Sequence, residues 1–428
     1  MKREAGFKWL FLDLNSYFSS VEQQENPSLR GRPVIVVPVD TDYTCAIAVS
    51  YEARLYGIKT GTMVKDAKRL CPFLHCIVAR HNVYAAYHNR IIEEVIKHTP
   101  INDICSIDEL SSRLPPSKRN PKSAAILTRN IKESIWNNIG RHINCSIGFA
   151  PNALLAKIAC DMQKPNGMTI INQSDLPDIL YELNLIDITG IGRNMERRLR
   201  AANVKTSQDF CSITPKHARK IWRSVEGERL WHLLQGHDIG KPRTKTCMVG
   251  HSRVIDTMSR APNDAKIIAR TLTTKAAQRL RRNGLFAKKI SISMQTTLGV
   301  NGARDIKVFA TQDSFVFLKH LHFMWDELMR DINVHHHNHG AKLEIKKVSV
   351  VLHDLITNEF ITDDFLNEDS PAYPTPRHSE KLIQAIDDLQ TKYKRGVVSI
   401  GIAPAMQTGC LETKIAFSRL PEQEEFWS

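Results

Sequence analysis

Nowhere in these 428 residues is there a run of about twenty apolar residues, so the sequence offers no helix that could span a bilayer. It also lacks a secretory h-region. The apolar start at Trp9 stops at Asp13 and reads as a first strand of a mature protein. No C-x-x-C pair occurs among the nine cysteines, at 45, 71, 76, 105, 145, 160, 211, 247 and 410, which argues against structural zinc and for a reducing cytoplasm. Acidic residues are the minority. Asp and Glu number 45 against 59 Lys and Arg, and the net charge of +14 would attract a polyanion by releasing its condensed counterions. Nucleic acid is the leading partner on that count, with a basic but otherwise ordinary enzyme as the alternative.

What is present is a soluble composition, 42% hydrophobic and 24% charged. The chain is too long for one ordinary core and suits about two to four domains. Residues 8 to 14 and 33 to 38 read as buried strands, with helical spacing at Tyr17 and Val21 ending by Pro27. Strands at Ile104 to Leu110 and Asn144 to Phe149 bracket a helix from Ala124 to Ile139, so the first 170 or so residues form an α+β unit. Asp175 to Gly240 is helical, broken by glycine. After a polar, basic linker at 236 to 246, strands follow at His251 to Ile255, Lys288 to Leu298, Ile306 to Ala310 and Lys346 to Leu352. Helices at Asp264 to Asn283 and Ser314 to Ile332 complete a β-α-β-β-α-β order. Beyond Asn358 the pattern fades, recovering a helix from Ser379 to Tyr393 and two short strand-like runs.

Asp13 closes an apolar strand, where an ionised carboxylate is costly unless it faces solvent or meets a cation. Asp108 and Glu109 repeat that situation in a second strand. Three carboxylates on two strand ends are the hard oxygen donors that Mg²⁺ takes together with water and phosphate. A pair of such ions, about 3.5 to 4 Å apart, activates a hydroxyl and neutralises a leaving pyrophosphate. Adjacent strand residues point to opposite faces, so Asp108 and Glu109 can serve one site only at a turn or a strongly twisted end. Taken alone, the same residues also describe a helix cap and a turn.

Five segments stand in a telling order: Phe11-Leu-Asp-Leu-Asn-Ser-Tyr-Phe-Ser-Ser-Val-Glu22, Ser50-Tyr-Glu-Ala-Arg-Leu-Tyr-Gly57, Cys105-Ser-Ile-Asp-Glu109, the stretch from Ser146 to Ala159, and Lys164-Pro-Asn-Gly167. In this order they resemble the Y-family translesion DNA polymerases, over roughly residues 8 to 355 and closest to the bacterial polymerase IV and V branches. The resemblance implies an α+β multidomain right hand: palm at 1–16 and 76–172, fingers at 17–75, thumb at 173–240, little finger at 247–357, and an extension of unknown role at 358–428. It implies that Asp13 and Asp108 bind both of two Mg²⁺ ions, Glu109 the catalytic one, and the Leu14 carbonyl joins them, with Mn²⁺ as an expected substitute. Phe18 takes the position that excludes a 2′-hydroxyl, which a flat ring does by collision. Tyr51 and Arg54, one helical turn apart, take the positions that hold the triphosphate, and Lys164 supplies a second cation there. The continuation from Leu110 to Arg119 departs from the family pattern, and Pro115-Pro116 suggests a shortened or opened hairpin after Glu109.

The implied activity is template-directed DNA synthesis across damaged DNA, transferring a nucleotidyl group from a dNTP to a primer 3′-hydroxyl. A weak or inactive DNA-binding adaptor is the alternative, and the joint presence of the three carboxylates with Phe18, Tyr51, Arg54 and Lys164 argues against it. Primer-template DNA and dNTPs are the expected partners of a monomer, with a sliding clamp bound through a tail containing Gln423, Phe426 and Trp427. Gly190-Ile191-Gly192 resembles the turn of a helix-hairpin-helix, whose outward amides bind phosphate without reading bases, strengthened by Arg193, Arg197, Arg198 and Arg200. Arg197 and Arg200 also fit solvated helix faces. Arg253, Lys288 and Lys289 are further candidates for gripping the duplex. His335 to His339 looks metal-like but is expected in a loop without a spaced partner.

Overall fold

The computed structural model describes residues 6–240, 245–337, 343–357, 376–393, 398 and 400, with backbone alone at 335–337, 376–380 and 391. Two compact units divide the chain, the break falling between residues 241 and 242. No described helix is long and apolar enough to cross a membrane.

The first unit begins with β1 (Trp9–Leu14), α1 (Tyr17–Glu25), β2 (Val34–Val37), β3 (Ala48–Val49), α2 (Tyr51–Arg54), α3 (Val64–Leu70) and β4 (His75–Val78). It continues with α4 (His81–Ile96), β5 (Asp103–Ile104), β6 (Glu109–Arg113), α5 (Pro121–Asn138), β7 (Cys145–Ala150), α6 (Ala153–Met162) and β8 (Met168–Ile170). Four short helices follow: α7 (Arg193–Ala201), α8 (Ser207–Ser212), α9 (Pro215–Trp222) and α10 (Val225–Leu234). The central sheet has the order β5-β6-β1-β7-β8, and β3-β2-β4 form a smaller one. Period-two alternation gives β1 two apolar faces. Leu10 and Leu12 pack with Tyr84 and Ile91 of α4 and Leu127 and Ile131 of α5, whereas Phe11 packs with Leu155 and Ala159 of α6 and with the short helices.

The strand expected from Ile104 to Leu110 is instead a hairpin. Its arms pair Asp103 with Ser111 and Ile104 with Leu110, and residues 105 to 108 form the tip. Local bonds break the strand: the amides of Cys105 and Ser106 both donate to Glu109 O, and Ser106 Oγ donates to Asp108 Oδ1 at 2.5 Å. The expectation of a shortened or opened hairpin is overturned. β6 keeps register with β1 from Asp13↔Glu109 to Trp9↔Arg113, and the prolines come only after the last paired residue.

In α6, Asn152 caps the N-terminus by accepting the Leu155 amide at 2.9 Å, and its Nδ2 donates to Leu233 O at the end of α10 at 2.7 Å. This helix presses on β7 at Gly148, where an added Cβ would lie 2.1 Å from Ala156 O and 2.3 Å from Cys160 N.

The second unit comprises β9 (Met248–Val254), α11 (Pro262–Arg282), β10 (Leu285–Thr296), β11 (Asn301–Thr311), α12 (Ser314–His337), β12 (Ile345–His353), β13 (Ile356–Thr357) and α13 (Pro376–Tyr393). Its sheet order is β11-β10-β12-β9, entirely antiparallel, with α11 and α12 over one face around Ile268, Ile290, Phe317, Trp325 and Val350. The β-α-β-β-α-β order stands as expected. The loop expected after Ile332 does not: α12 runs on through His337, since no glycine or proline interrupts it before Gly340. The side chains of His335 to His339 lie outside the described residues, as do residues 241–244 of the linker and the tail with Gln423, Phe426 and Trp427. Helix α13 is tied to α11 by Arg281, which meets both carboxylate oxygens of Asp387 at 2.6 and 3.0 Å.

Substituting Gly148→Ala is expected to destabilise the protein by about 3 kcal/mol, the upper part of the overpacking range, because both clashing atoms are backbone. Gly240→Ala, with nothing within 4 Å, is the control expected to leave the urea-unfolding midpoint unchanged.

Candidate active site

Asp13 is the next-to-last residue of β1, directly across from Glu109 on β6 and from Ser146 on β7. Cross-strand partners share a face, so Asp13 and Glu109 both look toward α6. Asp108 sits one residue before β6 in the hairpin tip, and its carbonyl accepts the Leu14 amide at 2.8 Å. The turn thereby brings two consecutive acids to one strand end, where the Asp108 charge acts on Asp13. On the far side of the tip, buried His88 of α4 lies with Nδ1 2.6 Å from Ile107 O. Burial pulls its imidazole below the ordinary range, so the neutral ring donates Nδ1–H and holds the residue before Asp108.

Two ammonium groups face these acids. Lys164 reaches Asp13 Oδ2 at 2.8 Å and Asp161 Oδ1 at 2.7 Å, and Lys157 of α6 reaches Glu109 Oε1 at 2.6 Å. Among the described residues no three metal-ligating side chains stand as a closed set. Asp13 and Glu109 are each held by a lysine instead. Burial pushes the Asp13 carboxyl up to about 7, against the pull of Lys164 and with further upward pressure from the Asp108 and Glu109 charges. Lys164 is itself raised: burial alone would lower it, and Asp13 and Asp161 more than compensate.

The chain leaves β1 through Ser16, whose φ of 48° turns it sharply into α1. Phe18 follows in the first turn, half-buried, its ring stacked on Tyr84 with centroids 4.3 Å apart and planes at 14°. Tyr84 is fixed in turn, its hydroxyl donating at 2.7 Å to Glu22, which Arg80 grips at 2.6 Å. Tyr51 and Arg54 share the single turn of α2, the guanidinium 5.0 Å from the Tyr51 ring centroid. Burial raises the Tyr51 hydroxyl, and the charges of Arg54, Lys164 and Asp13 all act on it. Tyr51 therefore belongs to the same cluster as the carboxylates.

Gly190 adopts φ 103°, a left-handed conformation natural to glycine, and Gly192 caps α7 with open space around it. Arg193 is exposed at the first position of that helix. Arg197 bonds Asn194 and Arg200 bonds Glu196, so those two are engaged along their own helix. A basic cleft of about 500 Å³ opens nearby in sequence, between α9 and α10, lined by Lys216, Arg219, Lys220, Arg223, Ser224 and Val225. In the second unit, Arg253 pairs with Val348, a core residue, and so lies on the helix-facing side of β9. The opposite, open face instead presents small hydroxyls, Ser252, Ser349, Ser293 and Ser291, with Lys289 and Lys347 beside them.

Sequence reading passed over Lys157, Asp161, Asn15 and His88. The first two had a signal: Lys157, Asp161 and Lys164 recur at helical spacing. Asn15 and His88 act through contacts that join distant segments, and nothing local marks them.

A mixed sheet tipped with carboxylates, with lysines beside them and with helical and helix-backed sheet modules following in the chain, is the build of a template-directed polymerase. Residues 12–161 match the impB/mucB/samB family and residues 248–364 match the C-terminal domain of that family. The DNA polymerase IV of Moorella thermoacetica is 32% identical over 292 residues, 67% of this chain and 72% of that protein. The DNA polymerase IV of Saccharolobus solfataricus is 27% identical over 357 residues, 82% of this chain and 97% of that one. A solved Y-family polymerase chimera of Dbh and Dpo4 shares the fold with a TM-score of 0.69 at 23% identity, covering 82% of this chain and 99% of its own. The chain belongs to the impB/mucB/samB family, the Y-family translesion DNA polymerases.

The Asp13 shift sets a pH dependence. Its carboxyl titrates near 3.8 when free and about 7 when folded, so across that interval the folded state holds a proton that the unfolded state has released. Without divalent cations, the stability that Asp13 contributes relative to Asp13→Asn is expected to fall as pH rises from 3.8 to about 7 and then to level off. The difference between the urea midpoints of wild type and Asp13→Asn, followed against pH in chelator-treated buffer, reads that contribution.

Proposed function

We propose that this protein copies DNA past damaged bases, joining a deoxynucleoside triphosphate to a primer 3′-hydroxyl. The observation that carries the reading is the convergence of Asp13, Glu109 and the Asp108 turn with Lys164 and Tyr51 on one strand end. An adaptor that only bound DNA would need none of these together. Solved relatives include ternary complexes of Dbh, among them one 25% identical with a TM-score of 0.55.

The donor chemistry fits hard divalent cations. Burial, with the Asp108 and Glu109 charges adding to it, pushes the Asp13 carboxyl up to about 7, a cost that a doubly charged ion relieves more fully than one ammonium. Two Mg²⁺ ions, with Mn²⁺ as substitute, would be held by Asp13, Asp108, Glu109 and the Leu14 carbonyl. When bound, they activate the attacking hydroxyl and offset the charge of the leaving pyrophosphate. The protein's own groups do the rest. Arg54, Tyr51 and Lys164 hold the triphosphate, and Lys164 leaves Asp13 to do so. Phe18, stacked on Tyr84, takes the position where a flat ring excludes a 2′-hydroxyl by collision.

In this reading residues 1–16 and 76–172 act as palm, 17–75 as fingers, 173–240 as thumb and 247–357 as little finger. Gly190, Gly192 and Arg193, with the cleft between α9 and α10, offer amides and cations to phosphates. The serine-rich open face of the second sheet suits close approach of a duplex backbone, a role better matched to Lys289 and Lys347 than to Arg253.

Primer extension with Mg²⁺ tests the assignment: the wild type should extend, and Asp108→Ala should lose about 10³-fold or more. No extension by the wild type would leave the adaptor reading standing. Phe18→Ala should raise ribonucleotide use relative to deoxyribonucleotide by about 10²-fold, read from single-nucleotide incorporation.

A further inference from the structure

The turn that presents Lys164 is clamped on two sides. Its amides face the strand ends: Asn166, at φ 55°, donates to Asn15 Oδ1 at 2.7 Å, and Gly167 donates to Ser146 Oγ at 3.2 Å. Asn15 lies two residues after Asp13, and Ser146 lies directly across from it. Gly167 has no room for a side chain, since a Cβ would stand 1.8 Å from Gln163 O. The carbonyls face α5. There Lys132 donates from Nζ to Asn166 O at 2.6 Å and to Gly167 O at 3.2 Å.

Lys132 is 9% exposed and sits in the inward stripe of α5 with Thr128, Ile131 and Ile135. A buried ammonium is costly, and here two carbonyl dipoles are what it meets. Burial holds it below the usual lysine range. A methionine of similar length would fill the space with less penalty, so packing alone does not account for a lysine. Its two bonds fix the path of the backbone from which Lys164 reaches Asp13 and Asp161.

We propose that Lys132 is a positioning residue for triphosphate binding: by gripping both carbonyls of the turn, it sets where the Lys164 ammonium stands. It acts through the turn and not by touching the nucleotide. This rests on the reading of Lys164 given above.

Single-nucleotide incorporation by the full chain on primed DNA with Mg²⁺ tests it. Lys132→Met is expected to lower kcat/KM for the incoming dNTP about tenfold while primer-template affinity stays unchanged, and Lys132→Arg, which keeps the donors, should stay within about twofold of wild type. Lys164→Ala should cost at least as much, and the double variant should be no worse than Lys164→Ala, because both act at one point. If Lys132→Met does not fold, Lys132→Gln replaces it in the same comparison. Unchanged kcat/KM in the Lys132 variant, or a full further loss on the Lys164→Ala background, would overturn the proposal. Should Lys164→Ala itself leave kcat/KM unchanged, the triphosphate reading of Lys164 falls, and the proposal with it, for that separate reason.

Discussion

Negative charge at the end of an apolar strand is the condition around which the first unit is arranged. Asp13 follows Leu10, Phe11 and Leu12, all buried, and is itself only 8% exposed, with Glu109 across the ladder and Asp108 in the adjoining turn. Like charges so placed repel, and burial compounds the cost. The folded chain answers with two lysines from one neighbouring segment, Lys157 on Glu109 and Lys164 on Asp13. These ammoniums offset part of the cluster's negative charge in the free protein. In the proposed function, bound divalent cations would take over that task and free Lys164 for phosphate.

Everything that places those lysines is packing. Lys157 rides on α6, which can lie close to the sheet only because Gly148 has no Cβ, and whose first turn is pinned to α10 through Asn152. Lys164 rides on a turn whose amides are tied to β1 and β7 and whose carbonyls are tied to α5. Phe18 is braced the same way, stacked on Tyr84, which is held by the buried Glu22 with its Arg80 partner. Chemical groups at the surface are thus aimed by buried polar contacts one layer behind them, where each bond is strengthened by its low-dielectric surroundings.

Much of this was legible from the chain alone, and the misses have causes. Strong periodicity located β1, α1, α5, β7 and the β-α-β-β-α-β order of the second unit to within a few residues. The strand through 104 to 110 was misread because Ser106, Asp108 and the Glu109 carbonyl offer the backbone local bonds that compete with the ladder. The prolines at 115 and 116 suggested a disrupted hairpin, yet β6 completes its pairing before reaching them. Arg253 looked like a surface cation, but strand register set it on the helix-facing side.

Sequence by itself determined which residues are candidates for the chemistry. Asp13, Asp108, Glu109, Phe18, Tyr51, Arg54 and Lys164 are spelled out in short segments whose order resembles one family, because charge, ring and hydroxyl are properties of single residues. Only the tertiary structure decided how they face one another. The pairing of Lys157 with Glu109, the Asp108 turn folded against Leu14, the Tyr84 brace and the Lys132 clamp each join residues 48, 94, 66 and 34 positions apart, respectively. Such contacts depend on sheet register and helix rotation, which packing of the whole core selects and no local pattern encodes.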